Sequence, residues 1–269
     1  MAKINPGNAQ HIGRRSEQQD SFGFSDIFDK EVLGSTGGLA VLCDGMGGMS
    51  MGKEASIFSV RKFLEIYPEY ADEKNKETAL INTIKEVNRS FVSYAEVNNI
   101  LGNVGTTLAV SLIFQGYLFY ASVGDSRIYF YRDNNLIRLT EDHIYEKKLQ
   151  EKVNLGLISL EEALSHPQKN ALTSYIGINN LDEIFISKEP VKLKSRDKIL
   201  LCSDGLYNYL DEEDIKASLK QEAQEAADML IAKTMDRGNE NQDNITAVIM
   251  EYLENDISDK KGIFRIFKG

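Results

Sequence analysis

The chain has 269 residues, with 31 Lys and Arg against 41 Asp and Glu, a formal charge of −10 at neutral pH. That acidity argues against nucleic acid or an anionic membrane as the main partner, because phosphates attract basic surfaces, and 42% hydrophobic content argues against disorder. No run approaches the roughly 18 consecutive apolar residues of a membrane span, and Met1–Gln10 lacks a signal-peptide core. The two cysteines, Cys43 and Cys202, are too few for a disulfide framework, so a reducing cytoplasm is expected.

In chain order, Leu39–Cys43 is a short apolar run that reads as a buried strand. Glu54–Ile66 has helical spacing and is expected to halt at Pro68. Leu80, Ile84, Val87, Phe91 and Tyr94 make Lys76–Asn98 an amphipathic helix. Leu108–Phe114 and Tyr117–Val123 are β-prone runs joined by Gln115-Gly116. Gly124-Asp125-Ser126 and Asp133-Asn134-Asn135 then lead into Arg127–Tyr131 and Leu136–Leu139, which predicts a continuing meander. Such short turns require antiparallel neighbours and count against a doubly wound nucleotide fold. Ile144–Asn154 is helix-like, and Ser159 with Glu162 has capping-box spacing. Lys198–Ser203 is a second apolar strand. Asp211 and Asp214 share capping-box spacing before Ile215 and Leu219, Glu222–Met235 follows as a helix, and Asn244–Tyr252 closes as a strand. With no repeat and no linker-like stretch, one domain is expected, an antiparallel sheet sandwiched by helices.

Both isolated apolar strands run into Asp-Gly: Cys43 into Asp44-Gly45, and Ser203 into Asp204-Gly205. Asp125 and Asp243 add two more acidic positions next to predicted strands, and Asp20 a third that follows Arg15. Buried carboxylates are costly unless paired or bound to a cation. A single Asp-Gly is usually just a turn dipeptide, but two after apolar strands suggest an all-oxygen cluster suited to Mg²⁺ or Mn²⁺. The glycines would let backbone approach a ligand. Imidazole ligands are scarce, since the histidines are only His11, His143 and His166.

Gly13-Arg14-Arg15-Ser16-Glu17-Gln18-Gln19-Asp20-Ser21 and Val41-Leu42-Cys43-Asp44-Gly45-Met46-Gly47-Gly48 resemble the opening motifs of the metal-dependent type 2C protein phosphatases, bacterial type. Gly105-Thr106-Thr107, Val123-Gly124-Asp125-Ser126-Arg127, Leu139-Thr140-Glu141-Asp142-His143, His166-Pro167, Cys202-Ser203-Asp204-Gly205-Leu206 and Asp243-Asn244-Ile245-Thr246 follow in family order, so the likeness covers about residues 8–252. It implies an α+β fold, an α-β-β-α sandwich with two central antiparallel sheets flanked by helices. Residues 1–252 would be a single phosphatase domain, with a flap about 141–178 beside the active site. It also implies hydrolysis of phosphoserine and phosphothreonine on proteins by a metal-activated water. Asp44 would bridge two Mn²⁺ or Mg²⁺ ions, Asp204 and Asp243 would hold the first with it, and the Gly45 carbonyl would hold the second, with Asp20 near it through water. Asp125, shared with Asp204, matches a ligand of a third ion. Arg15 would grip the substrate phosphate. Implied partners are phosphoproteins, a cognate Ser/Thr kinase and that kinase's targets, and a monomer is expected. The alternative is a catalytically impaired member acting as a regulatory binding module.

The sequence departs from common family patterns at Met46, where animal members carry a proposed general-acid histidine, and at Gln19, Met49, Ser174-Tyr175 and Asn208. Gly47–Lys53 fits the spacing of a phosphate-binding P-loop, but Glu54 stands where a hydroxyl would ligate Mg²⁺. A cysteine phosphatase needs Arg six residues after Cys, whereas Met49 and Asn208 occupy those places. Both thiols are therefore expected to be buried and structural. His143 and His166 are expected in turn networks rather than catalysis. Residues 253–269 form a basic, aromatic tail expected to pack on the body or fray.

Overall fold

The computed structural model describes residues 3–47, 51–72 and 74–254. In chain order its elements are β1 (Lys3–His11), β2 (Asp20–Phe24), α1 (Lys30–Ser35), β3 (Gly38–Gly47), α2 (Met51–Tyr70) and α3 (Lys76–Val97). Then come β4 (Val104–Thr106), β5 (Leu108–Phe114), β6 (Tyr117–Val123), β7 (Arg127–Arg132), β8 (Asn135–Arg138), α4 (Tyr145–Asn154) and α5 (Leu160–Leu164). The chain continues through β9 (Phe185–Ile186), β10 (Val191–Lys192), β11 (Lys198–Cys202), α6 (Asp204–Tyr207), α7 (Glu212–Leu219), α8 (Ala223–Arg237) and β12 (Ile245–Leu253).

One sheet has the order β1-β12-β11-β7-β8, and the other β10-β6-β5-β3-β2 with β4 on β3 and β9 on β6. Every pairing is antiparallel. The two sheets face each other, with α2 and α3 covering one outer face and α7 and α8 the other, which is the expected α-β-β-α sandwich.

Strand periodicity explains the layers. In β3, Leu39, Val41 and Cys43 pack under α2 and α3 while Ala40 and Leu42 face the other sheet. In β11, Leu200 and Cys202 pack under α7 and α8 while Ile199 and Leu201 face inward. In β12, Val248, Met250 and Tyr252 face inward too. Strands buried on both faces must be apolar at every position, hence the continuous apolar runs.

Several expectations need correction. The meander breaks at Gly124–Ser126: β6 and β7 are not partners, because the chain crosses there from one sheet to the other. A short turn fixes direction between strands but not membership of one sheet. Pro68 does not halt α2, which runs on to Tyr70. The lost N–H falls in the last turn, where buried Ile66 and Tyr67 anchor the helix. Neither Asp-Gly is a turn. Asp44-Gly45 lies inside β3, which extends to Gly47 by changing partner to β4, and Asp204-Gly205 opens α6 after the N-cap Ser203. Asp211 caps α7 through the Asp214 amide at 2.9 Å, but the Asp214 carboxylate turns to Arg237 and Lys233 instead of closing a box. The Ser159–Glu162 box is complete. Met49 and residues 255–269 of the tail lie outside the described residues.

Phe91 of α3 is fully buried against Phe58 of α2, ring centroids 5.4 Å apart. Replacing Phe91 with Ala should cost about 3–5 kcal/mol as a cavity between helix and sheet; the expected readout is a clearly lower urea midpoint.

Candidate metal centre

The inward-facing rows of both sheets turn polar at one end. Ala40 and Leu42 are followed by Asp44, Ile199 and Leu201 by Ser203, and Val248 is preceded by Thr246. Asp20, first residue of β2, is directly opposite Asp44 in the ladder. The crossing turn adds Asp125 at the same end. The site is therefore the mouth of the gap between the sheets, where the apolar layer stops. Arg15, Asp44, Gly45, Asp125, Asp204 and Asp243 line a cavity of about 550 Å³ there, and Asp20 is buried beside Asp44. All seven residues singled out from the sequence thus come together.

Backbone contacts hold the acids in place. The Thr107 hydroxyl accepts from the Asp44 amide at 2.9 Å, and the Thr106 hydroxyl donates to the Asp44 carbonyl at 2.8 Å. Thr107 also meets the Ser126 hydroxyl at 2.7 Å, coupling Asp44 to the turn that carries Asp125. Ser203 and Thr246 donate to Asp20 Oδ2 at 2.8 and 2.6 Å. The buried Asn244 side chain accepts from the Gln19 amide at 2.7 Å and donates to the carbonyls of Ile12 and Glu17, fixing the loop that bears Arg15. These Ser, Thr and Asn residues were visible only as parts of motifs. Their positioning roles depend on partners up to 232 positions away and left no local signal.

Two glycines are required by close backbone packing. A Cβ on Gly45 would lie 2.0 Å from the Gly52 carbonyl oxygen, and one on Gly205 would lie 2.0 Å from that of Asn244. The second contact sets Asp204 beside the segment carrying Asp243.

The charges are costly as they stand. Burial raises the Asp204 pKa to about 7, with Asp125, Asp243 and Asp20 adding repulsion. Burial first, then the Asp142 charge, raises Asp125 to about 6. Burial raises Asp20 to about 6 despite the Thr246 and Ser203 hydroxyls. Asp44 is pushed well up, by burial and then by its four acidic neighbours. Arg15, the one cation among the described residues lining the cavity, pairs with Asp243 at 2.7 Å with both side chains partly exposed.

Divalent cations fit this donor set. Asp20 Oδ1 and Asp204 Oδ1 are buried without any hydrogen-bond partner, as an oxygen ligand awaiting a cation would be. Among the described residues no three His, Cys, Asp or Glu side chains close on a single point. Ions of the Mg²⁺ type keep several waters and need only one or two carboxylates each.

The rival chemistries fare poorly. Cys43 and Cys202 are fully buried, and burial pushes both thiols up, Cys202 to about 12. His143 is buried, its Nδ1 3.2 Å from both the amide and the carbonyl of Gly124, so it braces the Asp125 turn. Burial lowers its pKa. His166 accepts from the Gln168 amide in a turn of its own. Glu54, at the P-loop hydroxyl position, takes the Tyr94 hydroxyl on the outer side of α2. From the expected flap only Leu172 lines the cavity; Tyr175 packs where a Gly105 Cβ would be, and Asn208 donates to Asp204 Oδ2 at 3.4 Å.

A profile of the protein phosphatase 2C family matches residues 8–244. Serine/threonine phosphatase stp of Listeria monocytogenes is 36% identical over 242 residues, 88% of this chain and 91% of that protein. A solved serine/threonine phosphatase of S. agalactiae superposes with a TM-score of 0.76 at 30% identity, covering 93% of this chain and 100% of that one. The catalytic domain of the serine threonine protein phosphatase PstP, solved in complex with 2 manganese ions, superposes with a TM-score of 0.72 at 25% identity, covering 94% and 100%.

A carboxyl whose pKa is raised in the folded state favours folding below its unfolded pKa, and that advantage is lost as pH rises through the folded value. Metal-free protein should therefore lose thermal stability between about pH 4 and 7, the window set by the raised Asp20, Asp125 and Asp204 values. Asp44→Asn should shrink that fall and raise the metal-free melting temperature at pH 8, by about 2–4 °C for each kcal/mol of repulsion relieved. A variant melting below wild type at pH 8 without metal would contradict this.

Proposed function

The chain belongs to the protein phosphatase 2C family and is a protein-serine/threonine phosphatase, and we propose that its aspartate cluster holds the Mn²⁺ or Mg²⁺ ions with which it hydrolyses phosphoserine and phosphothreonine. The single observation that supports this reading most is the pair of orphaned, buried oxygens on Asp204, which lines the cavity, and on Asp20, opposite Asp44. Asp44, Asp204 and Asp243 would hold one ion between them, directly or through its waters, Asp44 with the Gly45 carbonyl a second, with Asp20 behind it, and Asp125 with Asp204 a third. When bound, such ions supply positive charge for the phosphoryl group and bring a coordinated water toward the acidity a nucleophile needs.

The chain's own residues do the rest. Arg15 stands on the exposed rim of the cavity, its guanidinium held by Asp243, where it can pair with phosphate oxygens through its remaining N–H groups. Thr106 and Thr107 grip the Asp44 backbone, so that carboxylate is set before any ligand arrives. Met46 lines the cavity and cannot transfer a proton, and no histidine lines it among the described residues, so the leaving-group oxygen would take its proton from water or from another group of the site. We read residues 1–252 as one phosphatase domain, with 141–178 as a flap that reaches the cavity through Leu172. The substrates would be the targets of a cognate Ser/Thr kinase, a statement by family analogy, acted on by a monomer in the cytoplasm. No helix among the described residues is long and apolar enough to cross a membrane. The impaired-module alternative gains no support from a chain that keeps all five aspartates.

With Mn²⁺, wild type should hydrolyse an aryl phosphate and a phosphothreonine peptide. Chelator should abolish both activities, and re-added Mn²⁺ should restore them. Asp44→Ala should leave no measurable turnover. Arg15→Ala should lower kcat/KM by about 10–150-fold, the worth of about 1.5–3 kcal/mol for a charge-assisted contact, mostly through KM. Arg15→Lys should recover only part. Metal-independent hydrolysis, or full activity in Asp44→Ala, would sink the reading.

A further inference from the structure

A second cavity, of about 990 Å³, lies along the outer groove between α2 and α3. Its floor is apolar: Ile57, Phe58 and Tyr94, with the Phe58 and Tyr94 rings 5.3 Å apart. Its rim is charged. Lys53 pairs with Glu17, Lys62 with Glu65 and Arg89 with Glu86. Arg61, on the same rim, is exposed and makes no ion pair among the described residues. Glu54 also lines the groove, its carboxylate accepting from the Tyr94 hydroxyl, so the groove is close to neutral on a chain of net charge −10, and a negative group meets an unpaired cation only at Arg61.

The groove is continuous with the metal centre. Lys53 lines the groove, Glu17 lines the aspartate cavity, and their ion pair at 3.3 Å is the shared wall. From Lys53 to Glu65 the groove follows α2 for about 18 Å at 1.5 Å per residue, the reach of about five residues of extended chain. A phosphorylated side chain in the cavity would leave its flanking chain at the entrance to this groove.

We propose that the α2–α3 groove docks the segment of phosphoprotein substrate next to the phosphorylated residue, taking an apolar side chain on Ile57, Phe58 and Tyr94 and an acidic one at Arg61. The inference rests on the phosphatase reading above and adds a substrate preference to it. An aryl phosphate, which has no flanking chain, would not use the groove.

Three probes with Mn²⁺ test it: para-nitrophenyl phosphate, a phosphothreonine peptide with Leu and Glu on both flanks, and a matched peptide with Ala and Lys instead. Wild type should prefer the Leu/Glu peptide by about tenfold in kcat/KM, equivalent to roughly 1.4 kcal/mol, carried by KM. Arg61→Glu, and Ser93→Trp placed to fill the groove from its exposed edge, should each bring the two peptides to within about twofold, with aryl phosphate turnover unchanged. Equal kinetics on both peptides in wild type would overturn the proposal. So would an equal loss on all three probes in the variants, which would mean damage to the metal centre. A wild-type dimer in sedimentation that Ser93→Trp dissociates would assign the groove to a second copy and overturn it as well. If wild type hydrolyses none of the probes, the phosphatase reading itself fails, and that outcome is distinct from the other three.

Discussion

The structure is organised around a repulsion. Five aspartates sit at the place where the apolar layer between two sheets runs out, and Arg15 is the only cation among the described residues lining the cavity. Burial pushes the pKa values of Asp20, Asp44, Asp125 and Asp204 upward, and neighbouring carboxylates add to the rise. A protein left to optimise stability would replace such a cluster with apolar or hydroxyl residues, since buried charge without a partner is among the costliest features a fold can carry. The cluster makes physical sense as a receptor for divalent cations, and the sandwich is the frame that prevents the acids from moving apart.

That frame works by bringing distant segments into backbone contact. Asp20 and Asp44 are fixed opposite each other by ladder register. Asp204 is fixed beside Asp243 because Gly205 lets the Asn244 carbonyl approach. Asp125 is placed by the β6–β7 turn that passes between the sheets, which His143, Ser126 and the Tyr207 hydroxyl on the Asp125 carbonyl all brace. Metal affinity is thereby tied to the integrity of both sheets, and positioning is shared among hydroxyls and amides that never meet substrate.

Much of this was legible in the chain. The apolar runs of Leu39–Cys43 and Lys198–Ser203 announced strands buried on both faces, and the acids following them marked the open end of the core. The hairpin at Gln115-Gly116 and the helices flanking the strands also stand where periodicity put them. Features set by distant chain were not legible. Turn length could not reveal that β6 and β7 belong to different sheets. The Asp-Gly pairs looked like turns because the packing that makes Gly45 and Gly205 necessary comes from Gly52 and Asn244. The clasp of Arg15 on Asp243 joins positions 228 apart. The motif resemblance supplied the site residues, while the reason each acid can be tolerated had to come from the fold.

The central claim is that the buried carboxyls share protons until cations displace them. Calorimetric titration with Mn²⁺ in buffers of different ionisation enthalpy measures this directly, because proton release appears as a buffer-dependent heat. With Asp20 and Asp125 raised to about 6 and Asp204 to about 7, Mn²⁺ binding should release protons at pH 6 and markedly fewer at pH 8. Binding without proton release at pH 6, or no binding at either pH, would contradict the account.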